Sequence, residues 1–275
     1  MNTTLVATQT QTRPQPWVLP ASRIETVAAG FAPISLAQMD AVALLNRIDT
    51  KFVLTTDQVV QVLTALRPDY WMLAIDGRRL NHYRTLYFDT PDFELYTAHV
   101  NDRAERYKIR SREYTDSHVS FLEVKHHTRK DRTIKARLST TRPVIQPNSD
   151  MNRWLHTISP LDGAELEPKL WNTFTRLTLV NKHACERVTL DIDLTFYAAD
   201  QVVQLNGLAV AEVKLDVGSQ TSPFMAQMRG RHIQPGGFSK YALGVAMLYD
   251  GVKKNTIKPK LMWLDRLMTG AMCHD

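Results

Sequence analysis

The sequence predicts an α+β domain, rich in antiparallel strands with helices at its flanks, over about residues 25–252. Three observations carry that expectation. Apolar residues recur at helical spacing only in short stretches, such as Val59, Val60, Leu63 and Leu66. Beyond Pro68 the period changes to alternation, and strand-like runs follow one another for most of the chain. Turn and cap signals at Thr90-Pro91, Asn206-Gly207 and Ser222-Pro223 punctuate those runs.

Taken in order, residues Asn2 to Pro20 are rich in Thr, Gln and Pro with few charges, and read as a tail over residues 1–24. Organised structure begins near Ser35, where Ser35 and Gln38 form a capping-box pattern with apolar residues following through Leu45. Arg47 to Leu54 reads as a strand, and Thr55 with Gln58 forms a second capping box for a helix that Pro68 stops. Strands are expected at Tyr70 to Ile75, Leu80 to Asp89, Glu105 to Tyr114, Val119 to His127 and Thr133 to Thr140. Thr90-Pro91 places a proline at the first position of a short helix between two of them. A looser segment, Asn148 to Asp162, precedes strands at Leu170 to Val180, Glu186 to Phe196, Val202 to Leu205 and Leu208 to Val217. Asn206-Gly207 reads as a two-residue hairpin turn. Ser222-Pro223 and Ser239 each open a helix, and residues 253–275 form a tail with a short apolar helix from Leu261 to Met268.

Composition narrows the function classes. The net charge of +6 suits an anionic partner without naming one. Cys185 and Cys273 make neither a disulfide framework nor a zinc spacing, so a cytoplasmic setting is expected. No apolar run approaches the ~20 residues of a membrane span, and the N-terminus lacks a secretory signal pattern.

The strands carry the chemistry. Residues two apart share a face, which groups Arg47 with Asp49 and Lys51, Lys108 with Arg110 and Arg112, and Glu123 with Lys125 and His127. Lys135 pairs in this way with Arg137, Glu212 with Lys214, and Arg187 with Thr189, Asp191 and Asp193. A solvated face would explain any one strand. Successive cations on several strands repel one another, and an anion between them relieves that repulsion. In a sheet closed into a barrel these faces would line the lumen. Arg binds phosphate through a planar fork and Lys as a point charge, and carboxylates within such a site suit a divalent cation.

The segments RIDTKFVL (Arg47 to Leu54), YFDTPDFELY (Tyr87 to Tyr96), RYKIRSREY (Arg106 to Tyr114), FLEVKHHT (Phe121 to Thr128), ERVTLDIDL (Glu186 to Leu194), AEVKLD (Ala211 to Asp216) and FSKYALG (Phe238 to Gly244) occur in this order. Together they resemble the VTC domain of the triphosphate tunnel metalloenzyme superfamily, over roughly residues 36–250. The resemblance implies a closed antiparallel barrel of about eight strands with a charged interior, which binds triphosphate or polyphosphate with Mn2+ or Mg2+. It implies transfer of the terminal phosphate of ATP to a polyphosphate chain. By the resemblance, Lys51, Arg110, Arg112 and Glu212 form the catalytic set, with Glu212 as metal ligand and Glu123 as a second candidate. Lys125, Arg176, Ser239 and Lys240 add phosphate contacts, and Arg47, Lys108, Lys135, Arg137, Arg187 and Lys214 complete the binding set. Asp49 stands where many members have a glutamate, and Gly237 stands where some carry a lysine. With no membrane segment of its own, the chain is expected to meet a membrane only through a partner protein, and nucleic acid is not expected as a partner.

Other function classes share these residues: a metal-dependent triphosphatase, if water is the acceptor, and a non-catalytic polyanion-binding module. Elsewhere, His126 and His127 alternate to opposite faces and make a poor metal pair. Cys185 with His183 lacks further zinc or catalytic partners. Arg129 to Arg132 read as a solvated hairpin turn, and the C-terminal apolar helix as packing on the barrel or as a contact surface.

Overall fold

In the computed structural model, which describes residues 21–40, 47–130, 132–216 and 222–269, the chain begins with α1 (Ala21–Ala29), β1 (Ala32–Ile34), α2 (Leu36–Asp40), β2 (Arg47–Thr55), α3 (Thr56–Leu66) and β3 (Tyr70–Leu73). It continues through β4 (Asn81–Asp89), α4 (Glu94–Val100), β5 (Arg106–Tyr114), β6 (Val119–His127), β7 (Thr133–Thr140) and α5 (Ser149–Ile158). It ends with β8 (Glu167–Asn181), β9 (Glu186–Ala198), β10 (Gln201–Gln204), β11 (Leu208–Asp216), α6 (Pro223–Gly230), α7 (Lys240–Leu248) and α8 (Lys258–Thr269). The expected tail from Asn2 to Pro20, the apolar run from 41 to Leu45, Asp131 in the turn and Val217 lie outside the described residues.

The main path of the sheet is β2-β11-β9-β8-β4-β5-β6-β7, antiparallel throughout. Strand alternation gives each strand an apolar and a polar face, and the helices decide which turns outward. Phe52 and Leu54 of β2, Leu177 and Leu179 of β8, Val188 and Leu190 of β9 and Ala211 and Val213 of β11 are buried together under α1, α3 and α6. Leu86, Phe88, Ile109, Leu122 and Val124 are buried under α5. With the apolar faces turned out beneath helices, the charged faces turn in. The sheet curls so that β2 lines one cavity with β5 and β6 through Lys51, Lys108 and Lys125. The expected barrel is thus a barrel-like tunnel. It is not hydrogen-bonded into closure: among the described residues no ladder joins β2 to β7, which carry Arg47 and Asp49 on one side of the seam and Lys135 on the other.

Both capping boxes form. Ser35 Oγ accepts from Gln38 N at 3.3 Å and Gln38 Oε1 accepts from Ser35 N at 3.0 Å. Thr55 Oγ1 accepts from Gln58 N at 3.3 Å while Gln58 Oε1 accepts from Thr55 N at 2.9 Å. The second starts α3, whose Val59, Val62, Leu63 and Leu66 are buried. Thr55→Ala removes one of these caps, and denaturant unfolding is expected to show a loss of about 1 kcal/mol with an unchanged slope.

Several expectations are corrected. Order does not begin at Ser35: α1 precedes it and buries Ile24 and Ala28 against α3. The segment after Asn148 is helical, with Asn148 Oδ1 accepting from Met151 N at 2.8 Å and Met151 and Leu155 buried. Thr90-Pro91 forms a turn, and α4 begins at Glu94, whose N–H donates to Thr90 Oγ1. Asn206-Gly207 turns the chain, with Gly207 at φ 72°, but it does not join a hairpin. β10 pairs with residues 195–198 of β9, and β11 with residues 186–191 of the same strand.

The last correction shapes the interior. Asp193 does not share a face with Asp191. The β8–β9 register shifts between Thr173 and Thr175, and Asp193 takes a left-handed conformation, φ 55°, as one extra residue in a bulged strand requires. Asp193 instead lines a separate cavity of about 360 Å³ with Ile24 and Thr56. Beyond it the inward residues of β9 become Leu194 and Phe196, which join Leu170 and Phe174 of β8 and Val210 of β11 in a cluster that receives α7. One part of the inner surface is therefore apolar and covered by a helix, and another is charged and opens onto a cavity. Gly244 permits this approach, since a Cβ there would meet Leu170 and Phe196 at 2.6 and 2.7 Å.

Candidate functional site

The charged part is built from pairs that the strand register makes neighbours. Lys51 lies opposite Glu212, and Asp49 opposite Lys214. Glu212 Oε1 is 3.4 Å from Lys51 Nζ and 3.0 Å from Lys214 Nζ. Burial alone would raise the Glu212 carboxyl, but Lys214 and Lys51 hold it well below the usual carboxylate range. Arg176 faces Asp191 across β8 and β9 and donates two hydrogen bonds to it, at 2.5 and 2.8 Å. Lys240, at the first position of α7, donates to the same carboxylate. Burial would raise Asp191, and Arg176 and Lys240 bring it down to about 2. Burial also draws Lys240 down to about 8 against the pull of Asp191.

Glu123 repeats the pattern on β6. Arg110 Nε donates to its Oε2 at 2.6 Å, and Arg137 Nη2 to its Oε1 at 2.8 Å. Arg110 and Arg112 overcome the burial that would raise Glu123 and hold it at about 2. Each of these carboxylates is thus shared between two cations, so cations remain in excess. Arg112 is 7% exposed, lies over the Tyr83 ring at 5.8 Å, and comes no nearer to Glu123 than 3.9 Å. Its Nε is buried without a hydrogen-bond partner.

Lys108, Lys125 and Lys135 stand directly beside one another on β5, β6 and β7. None has a carboxylate within 4 Å among the described residues. Like charges in register destabilise a sheet. Burial, then Lys135 and Lys51, lower Lys125 to about 8, and burial followed by Lys125 and Arg110 lowers Lys108 well below the usual lysine range. Lys108 Nζ lies 3.0 Å from both His99 Nε2 and Ser239 Oγ. His99, held by burial and Lys108 at about 3, is neutral and serves as acceptor. Ser239 also caps α7, accepting from Ala242 N at 3.3 Å, so the positive end of that helix faces the lysine row. Lys51, Lys108, Lys125 and Ser239 open onto a cavity of about 630 Å³.

The structure thus gathers Lys51, Lys108, Arg110, Arg112, Glu123, Lys125, Lys135, Arg137, Arg176, Glu212, Lys214, Ser239 and Lys240 on one inner surface. Arg187 lies in register with Lys214, and Arg47 ion-pairs with Asp49 at 3.0 Å near the seam. Alternation alone left His99 out of this set, since α4 carries it, and treated Asp191 only as part of a polar face. His126 stacks on Tyr107 at 4.2 Å and Cys185 is exposed, both away from the cavity. Among the described residues no three His, Cys, Asp or Glu side chains form a cluster able to hold a metal, and no helix is long and apolar enough to cross a membrane.

Among solved structures the chain is similar to a candidate adenylyl cyclase from Hippeastrum described as having a dominant triphosphatase activity, at 15% identity and TM-score 0.44, covering 74% of this chain and 98% of that one. A candidate adenylate cyclase from Bacillus halodurans matches at 12% identity and TM-score 0.43, covering 74% and 98%. An RNA triphosphatase from S. pombe matches at 12% identity and TM-score 0.26, covering 82% and 76%. Comparison with curated protein sequences finds no match. The VTC domain model matches residues 46–249 of the 275, a span that runs from β2 to α7 and holds every pair described above, and the chain belongs to the VTC domain family.

Proposed function

We propose that the tunnel binds inorganic triphosphate or polyphosphate and transfers the terminal phosphate of ATP to the polyphosphate chain. The observation that carries this reading is the in-register row Lys108, Lys125 and Lys135. Three lysines side by side, with no carboxylate within 4 Å among the described residues, repel one another when charged, and a bound polyanion relieves that repulsion. Family membership supports the substrate class.

Phosphoryl transfer asks the protein for positioning and charge stabilisation rather than covalent chemistry. Arg112, with its unpartnered Nε, and Arg110 beside it offer forked donors to non-bridging oxygens. Lys51 adds a point charge from across the tunnel, while Asp191 fixes Arg176 and Lys240 in place. The attacking end of a phosphate chain is already anionic near neutral pH, so no general base is required.

A divalent cation fits this site only as a companion of the phosphates. Mg2+ takes one or two carboxylates and completes its shell with phosphate oxygens and water, and Glu212 is the carboxylate that Lys51 and Lys214 keep ionised. When bound, Mg2+ or Mn2+ would neutralise charge on the phosphate oxygens.

The decisive assay incubates purified protein with ATP and Mn2+ and measures long polyphosphate and free phosphate together. Polymer formation is expected. Free phosphate without polymer would make the protein a triphosphatase, and neither product would leave it a binding module.

A pH effect follows from Lys125. Its amine is charged below about 8 and neutral above. A bound polyanion favours the charged form, so binding at pH 8 takes up protons and weakens as pH rises. Calorimetry in buffers of different ionisation enthalpy should show about half a proton more taken up by the parent than by Lys125→Met. Equal proton exchange would place Lys125 away from the ligand.

A further inference from the structure

Helix α8 lies beyond the residues that match the family model, yet its start meets the tunnel. The cavity that Lys51, Lys108 and Lys125 line from the sheet is walled on its outer side by Ile257 and Lys260. Apolar packing fixes α8 there: Leu264 is fully buried, and Leu261, Trp263 and Leu267 pack on the cluster that also holds α7. The Lys260 ammonium donates to the carbonyl of Gly237, in the loop that leads to Ser239. That loop carries no cation of its own from Gln234 to Phe238. A Cβ at position 237 would lie 3.3 Å from Lys260 Nζ, so the glycine leaves the space that the incoming lysine occupies. Among the described residues no carboxylate lies within 4 Å of Lys260. Its charge is met by one neutral carbonyl, and partial burial lowers its pKa.

We infer that Lys260 is a further anion-binding residue of this tunnel, placed to grip a phosphate group of an inorganic polyphosphate at the mouth beside Ser239. The inference rests on the phosphate-binding reading above. The plain alternative is that Lys260 only ties α8 to the loop, a role that moves stability and leaves affinity alone.

Lys260→Met keeps the apolar stem and removes the charge. Calorimetry with tripolyphosphate is expected to show affinity reduced about tenfold, as for loss of one hydrogen bond to a charged group. Lys260→Arg should retain most of the affinity, and Lys258→Met, exposed on the same turn, should change nothing. Affinity of Lys260→Met within twofold of the parent overturns the inference, whatever happens to its melting temperature. Should Lys260→Met fail to fold, Lys260→Gln, which keeps a donor for the Gly237 carbonyl, gives the same reading. Arg112→Ala belongs in the series. If it loses affinity and Lys260→Met does not, the α8 inference fails alone; if neither loses affinity, the phosphate-binding reading fails with it.

Discussion

Arg112→Ala is expected to weaken tripolyphosphate binding about thirty-fold or more. Truncating one partner of a buried charge pair costs about 2–5 kcal/mol, and ~1.4 kcal/mol is a factor of ten. Arg112 meets the conditions for a value in that range. It is 7% exposed, its Nε lacks an acceptor, and the nearest carboxylate, Glu123, is engaged by Arg110 and Arg137. Burial, then Arg110, lowers its pKa, so without ligand its charge is poorly compensated. The variant also loses the Tyr83 contact and the 3.9 Å approach to Glu123, but no hydrogen-bonded ion pair, so stability should fall by less than affinity does. Arg110→Ala should lose comparable affinity. Arg129, with a side chain 81% exposed and paired with Glu105 at 3.1 Å, is the control, and Arg129→Ala should stay within twofold. An equal loss at Arg129 would mean that the binding is diffuse surface electrostatics.

Glu212→Gln should separate binding from turnover. The amide is a poor ligand for Mg2+ or Mn2+, and losing ~3 kcal/mol of charge stabilisation lowers the metal-dependent rate about a hundred-fold. Binding of tripolyphosphate without metal should move the other way. Glu212 holds Lys51 at 3.4 Å and Lys214 at 3.0 Å, so neutralising it frees both for phosphate and affinity should be equal or tighter. The fold should survive, since the glutamine still reaches both lysines with its carbonyl oxygen. A manganese titration with undiminished turnover would remove Glu212 from the metal, and a large loss of metal-free binding would show that it organises the lysines instead.

Alternation by itself assigned the charged residues of β2, β5, β6, β7 and β11 to common faces, because successive side chains of a strand alternate whatever surrounds it. The capping boxes at Ser35 and Thr55 were equally local and equally legible. The helix after Asn148 was present in the spacing of Met151, Trp154, Leu155 and Ile158, though its polar neighbours gave it the look of a loop. Asp193 escaped because a bulge is set by how two strands fit, and a non-glycine residue at positive φ leaves no mark in composition. Alternation by itself could not decide that the charged faces turn inward, which only the family resemblance implied. That follows from α1, α3, α5 and α6 covering the apolar faces from outside, a matter of contacts between segments far apart in the chain. Nor did it bring His99 and Lys260 to the cavity, since helix positions enter a site through packing angles rather than through strand parity. Local periodicity therefore determined which residues travel together, and long-range burial of apolar surface decided what they face.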